Sequence, residues 1–283
     1  MMCGASISKR SRRSWGLRIG VGILLFLAVI SVAAPLLSAY DPAFETTAGL
    51  GPGGEPLDPG TPGHLLGTDP KGRDMVARIL YGGRVTFAAA LLAVGIATVL
   101  GLAMGLIAAN SGRFIGGVLM RGTDLGLAIP GLLLAAAIAT VLGRGVVSLI
   151  IGLAAVFWAP LARLTYGQAV VLQERPYVEA ARVQGARGAS VLVRHVLPHL
   201  LPVVGAYAAL SVGWAVLFES SLGFLGAGIQ EPTPSIGGLL GCCLVYYRAH
   251  PGLILLPALY LGLLVAAANL VGESLRRPSG AIP

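Results

Sequence analysis

Six blocks of nearly unbroken apolar sequence, each about as long as a bilayer-crossing helix, dominate what this chain can become. They run Ile19–Leu37, Val85–Ala109, Leu125–Leu142, Val146–Leu164, Val203–Phe224 and Leu253–Val271. A helix of about 20 apolar residues crosses the hydrocarbon core, and a helix satisfies its own backbone polar groups where no water is available. The expected fold class is therefore an all-α membrane protein with six transmembrane helices. Composition agrees, since only 11% of residues are charged, against about 25% in soluble domains. One further apolar stretch, "SIGGLLGCCLVYY" (235–247), is too short to cross and reads as an interfacial or re-entrant helix.

The first block follows "SKRSRRSWGLR", which carries five basic residues. A signal peptide begins this way, but its apolar core is only about 7–15 residues long. Ile19–Leu37 is long enough to span and reads as a retained first helix. With the N-terminus in the cytoplasm, the inner side holds Lys9, Arg10, Arg12, Arg13, Arg18, Arg113, Arg121, Arg163, Arg175, Arg182, Arg187, Arg194, Arg276 and Arg277. The outer side holds Lys71, Arg73, Arg78, Arg84, Arg144 and Arg248. Fourteen of the 20 basic residues thus fall inside and six outside, which places both termini in the cytoplasm. The net charge of +8 is spread between apolar blocks, so it speaks for membrane orientation rather than nucleic-acid binding. The outer segment 40–66 is rich in Gly and Pro, lacks a hydrophobic period and reads as an extended loop.

Reactive groups are scarce. Cys3 stands apart, and Cys242 and Cys243 are adjacent, so poorly placed to bridge each other; all three read as small apolar fillers. Only two acids fall in or near a span, Asp124 and Glu219, and ionisable residues there are functional candidates. His195 and His199 have the spacing of a zinc pair, but Pro198 between them is expected to break the helix, so no metal site is expected. Ser220–Ser221 has no histidine at comparable membrane depth. No G-x-x-x-x-G-K-[ST] occurs, so the chain does not itself cradle ATP phosphates. "GLRIG", "GLAMG" and "GTDLG" carry the G-x-x-x-G spacing of close helix contacts, a weak signal among 41 glycines.

One cytoplasmic stretch stands out: "YVEAARVQGARGASVLVRHVLP" (177–198). Pro176 fits a first helical position, and Gly185 is a natural stop with positive φ. A second short helix is expected over roughly Ala189–Val196, ending at Pro198. The residues leave two readings open. One is a solvated loop whose arginines set topology; the other is a small-residue helix inserted into a partner's cleft, with Ala181 on the approaching face.

Glu179-Ala180-Ala181, three residues, Gly185, nine residues and His195-Val196-Leu197-Pro198 resemble the EAA loop of binding-protein-dependent ABC importer permeases. The family pattern is E-A-A-x3-G-x9-I-x-L-P. His195 replaces the usual Ile, a replacement associated with the peptide-type branch. "HLLGTDPKGRDMVARILYGGR" (64–84) is similar to that branch's L-G-T-D-x-x-G-R-D signature. "FLGAGIQEPTPSIGGLL" (224–240) resembles F-L-G-x-G-x-Q-x-P-x-P-S-W-G, departing at Glu231 and Ile236.

The resemblance implies the C-type permease subunit of a dipeptide, oligopeptide or nickel importer in a bacterial inner membrane, with the type I permease fold. It also implies a coupling helix formed by Glu179, Ala180, Ala181 and Gly185 that docks on a cytoplasmic ATPase. A homologous second permease and an extracytoplasmic binding protein complete the assembly. The chain itself is a transport subunit without a cofactor, since ATP belongs to the partner subunits. Peptides, nickel chelates, opines and glutathione all fit as cargo. The expected organisation is a tail at 1–18, a first span at 19–38 and an outer loop at 39–84. A five-helix permease domain follows at 85–272, with the EAA loop at 176–198, and a tail ends the chain at 273–283. Asp124 and Glu219 are candidate pathway residues. The alternatives are an ion-gradient-driven transporter, which needs inverted repeats and broken helices around midplane sites, and an intramembrane enzyme, which needs a nucleophile and base.

Overall fold

Apolar periodicity yields helices throughout. The computed structural model describes residues 4–186 and 188–276, with side chains from Trp15 onward; Cys3, Arg187 and Arg277, used above, lie outside the described residues. The helices are α1 (Gly4–Val32), α2 (Ala34–Leu37), α3 (Met75–Asn110), α4 (Arg113–Ala128), α5 (Gly131–Leu142) and α6 (Val146–Gln173). Then come α7 (Pro176–Val183), α8 (Ala189–Val191), α9 (Leu197–Phe224), α10 (Ile236–Cys243) and α11 (Gly252–Leu275). Among the described residues no strand forms. Five helices are long and apolar enough to cross a membrane, and α4 with α5 makes a sixth if the bent pair is one span.

The spans are longer than the apolar blocks, because helix continues into flanking charged sequence. α3 begins at Met75, ten residues before the expected Val85, so Arg78 and Arg84 are helical rather than part of the outer loop. Asp74 sets this start: its side chain accepts the Ala77 N–H at 2.9 Å, satisfying an orphan amide of the first turn.

Two expectations about the spans require correction. The third span is not one straight helix over Leu125–Leu142, for α4 and α5 meet at 87°. Pro130 is the cause, since it holds the preceding Ile129 extended at φ −86 and ψ 128. Conversely, Pro198 does not end a separate short helix. Residues 192–196 form a π turn, in which the Leu197 N–H reaches the Leu192 carbonyl five residues back. The wider turn makes room for the proline ring, and 189–224 runs as one helical span. A prolyl ring placed just after a π turn meets no tight i−4 carbonyl.

Packing relies on small residues. α3 lies along α6, and a Cβ on Gly101 would stand 2.6 Å from Leu161 Cβ and 2.8 Å from the Trp158 carbonyl oxygen. At Gly105 it would meet Thr165 Cβ at 2.6 Å. "GLRIG" does the same for α1 on α11, where a Cβ on Gly20 would stand 2.9 Å from the Ala267 carbonyl oxygen. "GTDLG" does not, since Gly122 faces open space. We expect Gly105→Val to cost at least the ~1–3 kcal/mol typical of overpacking and to lower the melting temperature in detergent. Gly95→Val on the same helix, where a Cβ meets nothing, leaves melting near that of the parent protein.

α9 is the central element, touching α11, α3, α6 and α10. The outer loop is more ordered than its composition suggests. Isolated bridges Leu50–Pro56, Thr61–His64 and Thr68–Asp74 fold it back on itself. Gly72, at φ +75, lets the chain cross Thr46, whose carbonyl oxygen would lie 2.0 Å from any Cβ.

Candidate functional site

At the end of α6, Arg175 caps and Pro176 opens α7. Glu179 lies in its first turn and Arg182 in its last, both matching the helix dipole. Gly185 follows at φ +94, so the sequence correctly places the stop. Val178 (0% exposed) and Ala181 (9%) face inward. They sit three residues apart and so share one helix face. Ala181 is therefore not on the approaching face, as the sequence reading had it. The outward side instead carries Glu179, Ala180, Gly185 and Val183, the last 89% exposed.

Gln173 ties this helix to α3, accepting from Arg182 at 3.1 Å and donating to the Ala109 carbonyl at 3.1 Å. Tyr177 packs on His199, ring centroids 5.2 Å apart. His199 Nδ1 donates to the His195 carbonyl at 2.9 Å.

At the opposite end of α3 lies a charged cluster that the sequence reading did not single out. Asp69 Oδ1 accepts the Lys71 and Arg73 amides at 2.9 and 3.0 Å. Asp69 Oδ2 takes Arg73 Nε at 2.7 Å and lies 3.1 Å from Arg78 Nε. Arg73 (1% exposed) and Arg78 (2%) are buried, as is Asp69 (0%). Across the gap comes Glu231, which accepts from Arg73 Nη2 at 2.7 Å and from the Lys71 ammonium. Arg78 Nη1 also donates to the Pro42 carbonyl at 3.1 Å. The cluster thus fastens the two motifs at 64–84 and 224–240 to each other. Glu231, a departure from the family pattern, is its counter-charge, and an extra acid opposite Lys71-x-Arg73 was the available signal. Asp74 also accepts from His64 Nδ1, 2.9 Å away, and His64 stacks on Tyr40.

Burial pushes the Glu231 carboxyl up, but hydrogen bonds from Arg73 and Lys71 and their charges outweigh it and hold the group at about 2. A depressed carboxyl stabilises the fold above its unfolded value of about 4.3 and loses that contribution as pH falls toward the folded value. The melting difference between parent and Glu231→Gln should therefore be constant above pH ~5 and shrink between about pH 4 and 2. An unchanging difference across that window would contradict the ion pairing.

Of the two span acids, Glu219 is fully buried. Ser220 Oγ donates to its Oε2 at 3.2 Å, and the Thr86 and Ser235 hydroxyls surround the same carboxyl. Thr86 and Ser235 also serve α10, accepting the Ile236 and Gly238 amides. Glu219 thus sits where α9 meets α3 and the cap of α10, its Oε1 without a hydrogen-bond partner among the described residues. Asp124 lies within α4 and pairs with Arg163 of α6 at 2.7 Å, both about half exposed. Cys242 and Cys243 are free thiols, Sγ atoms 3.5 Å apart.

A bundle of long apolar helices, with a short amphipathic helix at its edge, is the architecture of a helical membrane protein. Residues 97–277 match the family described as the binding-protein-dependent transport system inner membrane component, and the chain belongs to it. It is similar to the di/tripeptide transport system permease protein of Pseudomonas aeruginosa, at 36% identity over 90% of this chain and 85% of that one. It also resembles the oligopeptide permease of Salmonella typhimurium, at 33% identity over 90% and 83%. The glutathione permease of Pectobacterium atrosepticum is 34% identical over 75% and 71%. A chain of the MetNI methionine ABC transporter, solved in inward-facing conformations, matches with TM-score 0.58 at 20% identity, over 72% of this chain and 98% of that one. That likeness establishes the type I importer permease fold. The family makes this chain a transport subunit, setting aside the gradient-driven and enzymatic alternatives.

Proposed function

We propose that the chain is one of two permease subunits of an ATP-driven importer for peptides. It takes solute from an extracytoplasmic binding protein and passes it through a bacterial inner membrane, with both termini in the cytoplasm. The observation that carries the reading is α7. Val178 and Ala181 seat it on the chain's own body, while Glu179, Ala180, Val183 and Gly185 are left exposed. An exposed valine beside a glycine stop suits a cleft on a cytoplasmic ATPase, which supplies the hydrolysis this chain lacks. Di- and tripeptides are the favoured cargo, since relatives named for them align along most of the chain; glutathione is itself a tripeptide. Selectivity resides largely in the binding protein.

Orientation is tested with single cysteines in a cysteine-free background. Positions 55 and 232 should react with an impermeant thiol reagent in intact cells, and position 175 only after lysis. Labelling of position 175 from outside inverts the topology and ends the coupling assignment. Function is tested in vesicles holding both permeases and the ATPase, where loaded binding protein should drive peptide uptake.

A further inference from the structure

Among the described residues two carboxyls have no exposed surface, Asp69 and Glu219. Asp69 answers two arginines, Arg73 and Arg78. No Lys, Arg or His among the described residues acts on Glu219; the groups that bond its carboxyl are the hydroxyls of Thr86, Ser220 and Ser235. A carboxylate buried in a membrane protein is costly unless an opposite charge meets it. The backbone does not supply one here. α10 turns its first amides toward the same place, but the Ile236 N–H goes to the Thr86 hydroxyl at 3.2 Å and the Gly238 N–H to the Ser235 hydroxyl at 3.1 Å. Glu219 Oε2 receives the Ser220 hydroxyl at 3.2 Å, and Oε1 is left without a partner among the described residues.

This shell has the chemistry of a hard-cation site, since every donor in it is oxygen. Each hydroxyl oxygen has two lone pairs; the amides occupy one on Thr86 and one on Ser235, leaving one apiece. Glycines draw the walls together. A Cβ on Gly237 would stand 2.5 Å from the Ser220 Cα, and one on Gly82 would stand 3.3 Å from the Ser235 carbonyl carbon. A single negative charge matches a monovalent ion, and tight walls favour Na+ over the larger K+. Ser220 also lines a groove of about 330 Å³ between α9, α10 and α11. The wall of an open groove and the shell of the carboxylate therefore share a side chain.

We propose that Glu219, Thr86, Ser220 and Ser235 form a Na+ site, and that the bound ion fastens the start of α10 to α3 and α9. The carboxylate supplies the counter-charge, and hydroxyl oxygens from α3, α9 and the cap of α10 complete the shell. The ion is part of the fold, not cargo. Ser235 closes the turn that also carries Glu231, so the ion and the charged cluster pin one segment at two points.

The test uses the full chain with the subunits that co-purify, in detergent, exchanging NaCl, KCl and choline chloride at constant ionic strength. The melting midpoint of the parent should rise by several degrees with increasing Na+, as binding to the folded state alone requires. K+ should act well below Na+, and choline not at all. Radioactive Na+ should bind and be displaced by unlabelled Na+ but not by choline. Glu219→Gln keeps the shape of the side chain and should lose both the rise and the bound label. Thr86→Ala should need severalfold more Na+ for the same rise, and Thr86→Ser should restore the parent requirement; this pair reads the site even where Glu219→Gln fails to fold. A parent that melts alike in all three salts overturns the proposal and leaves a carboxyl carrying its own proton. A Na+ response undiminished in either Glu219→Gln or Thr86→Ala also overturns it, because the ion then sits elsewhere.

Discussion

Replacing Val183 with aspartate will abolish peptide uptake while leaving the protein in the membrane at normal abundance. Val183 ends α7 and is 89% exposed, so the subunit alone loses almost no contact. Surface substitutions of this kind cost under about 0.5 kcal/mol. Under the proposed docking the same position becomes a buried apolar anchor, and truncating such an anchor costs about 2 kcal/mol or more. A carboxylate adds its own desolvation to that loss. ATPase subunits should therefore come away during purification, or their hydrolysis should stop responding to loaded binding protein. Two other substitutions in the loop are less informative. Ala181→Trp forces a large ring into the inward face that seats α7, and Gly185→Val strains a residue at φ +94; each can fail without touching a partner. Normal uptake by Val183→Asp at normal abundance would show that α7 is only a topology loop.

The spans were legible because each needs only length and apolarity, and these are written locally. Their ends were not. Asp74 caps α3 ten residues upstream of its apolar block, since a capped helix extends through Arg78 and Arg84 when their side chains find partners. The bend at Ile129–Pro130 and the π turn at 192–196 show why proline is hard to read in a membrane chain. Pro130 follows a residue free to become extended and breaks the span, whereas Pro198 follows a turn that widens to admit it. Neighbouring helices decide between the two outcomes, and their positions are not local information.

The site was legible unevenly for the same reason. The order Glu179-Ala180-Ala181 and Gly185 marks the proposed coupling segment, but which face it presents depends on where Val178 packs. Glu219 stands out in the sequence because an acid in a span is unusual; its three hydroxyl neighbours come from α3, α9 and the start of α10, far apart in sequence. Glu231 looked like a blemish in a motif. Only when the loop at 69–73 is folded against it does it become the acid that two buried arginines require.

That cluster yields the other large effect, which Asp69→Ala should produce. Asp69 is fully buried and serves both guanidinium groups of Arg73 and Arg78 as well as two backbone amides. Removing one partner of a buried ion pair typically costs about 3–5 kcal/mol, because the remaining charge is left uncompensated. Here two cations would share Glu231, which is itself partly exposed and also engaged by Lys71. Asp69→Ala should sharply lower the melting temperature in detergent and open the segment 42–72 to protease, since Pro42 and Glu45 are fastened through these arginines. Asp69→Asn keeps an oxygen for the amides and should fall between Asp69→Ala and the parent. Adding Arg73→Met to Asp69→Ala should recover part of the loss, because it removes an uncompensated charge rather than a contact. If the double variant is instead less stable than Asp69→Ala by the full cost of Arg73→Met alone, the two residues act independently, and the cluster is not the clasp that holds the outer loop to the bundle.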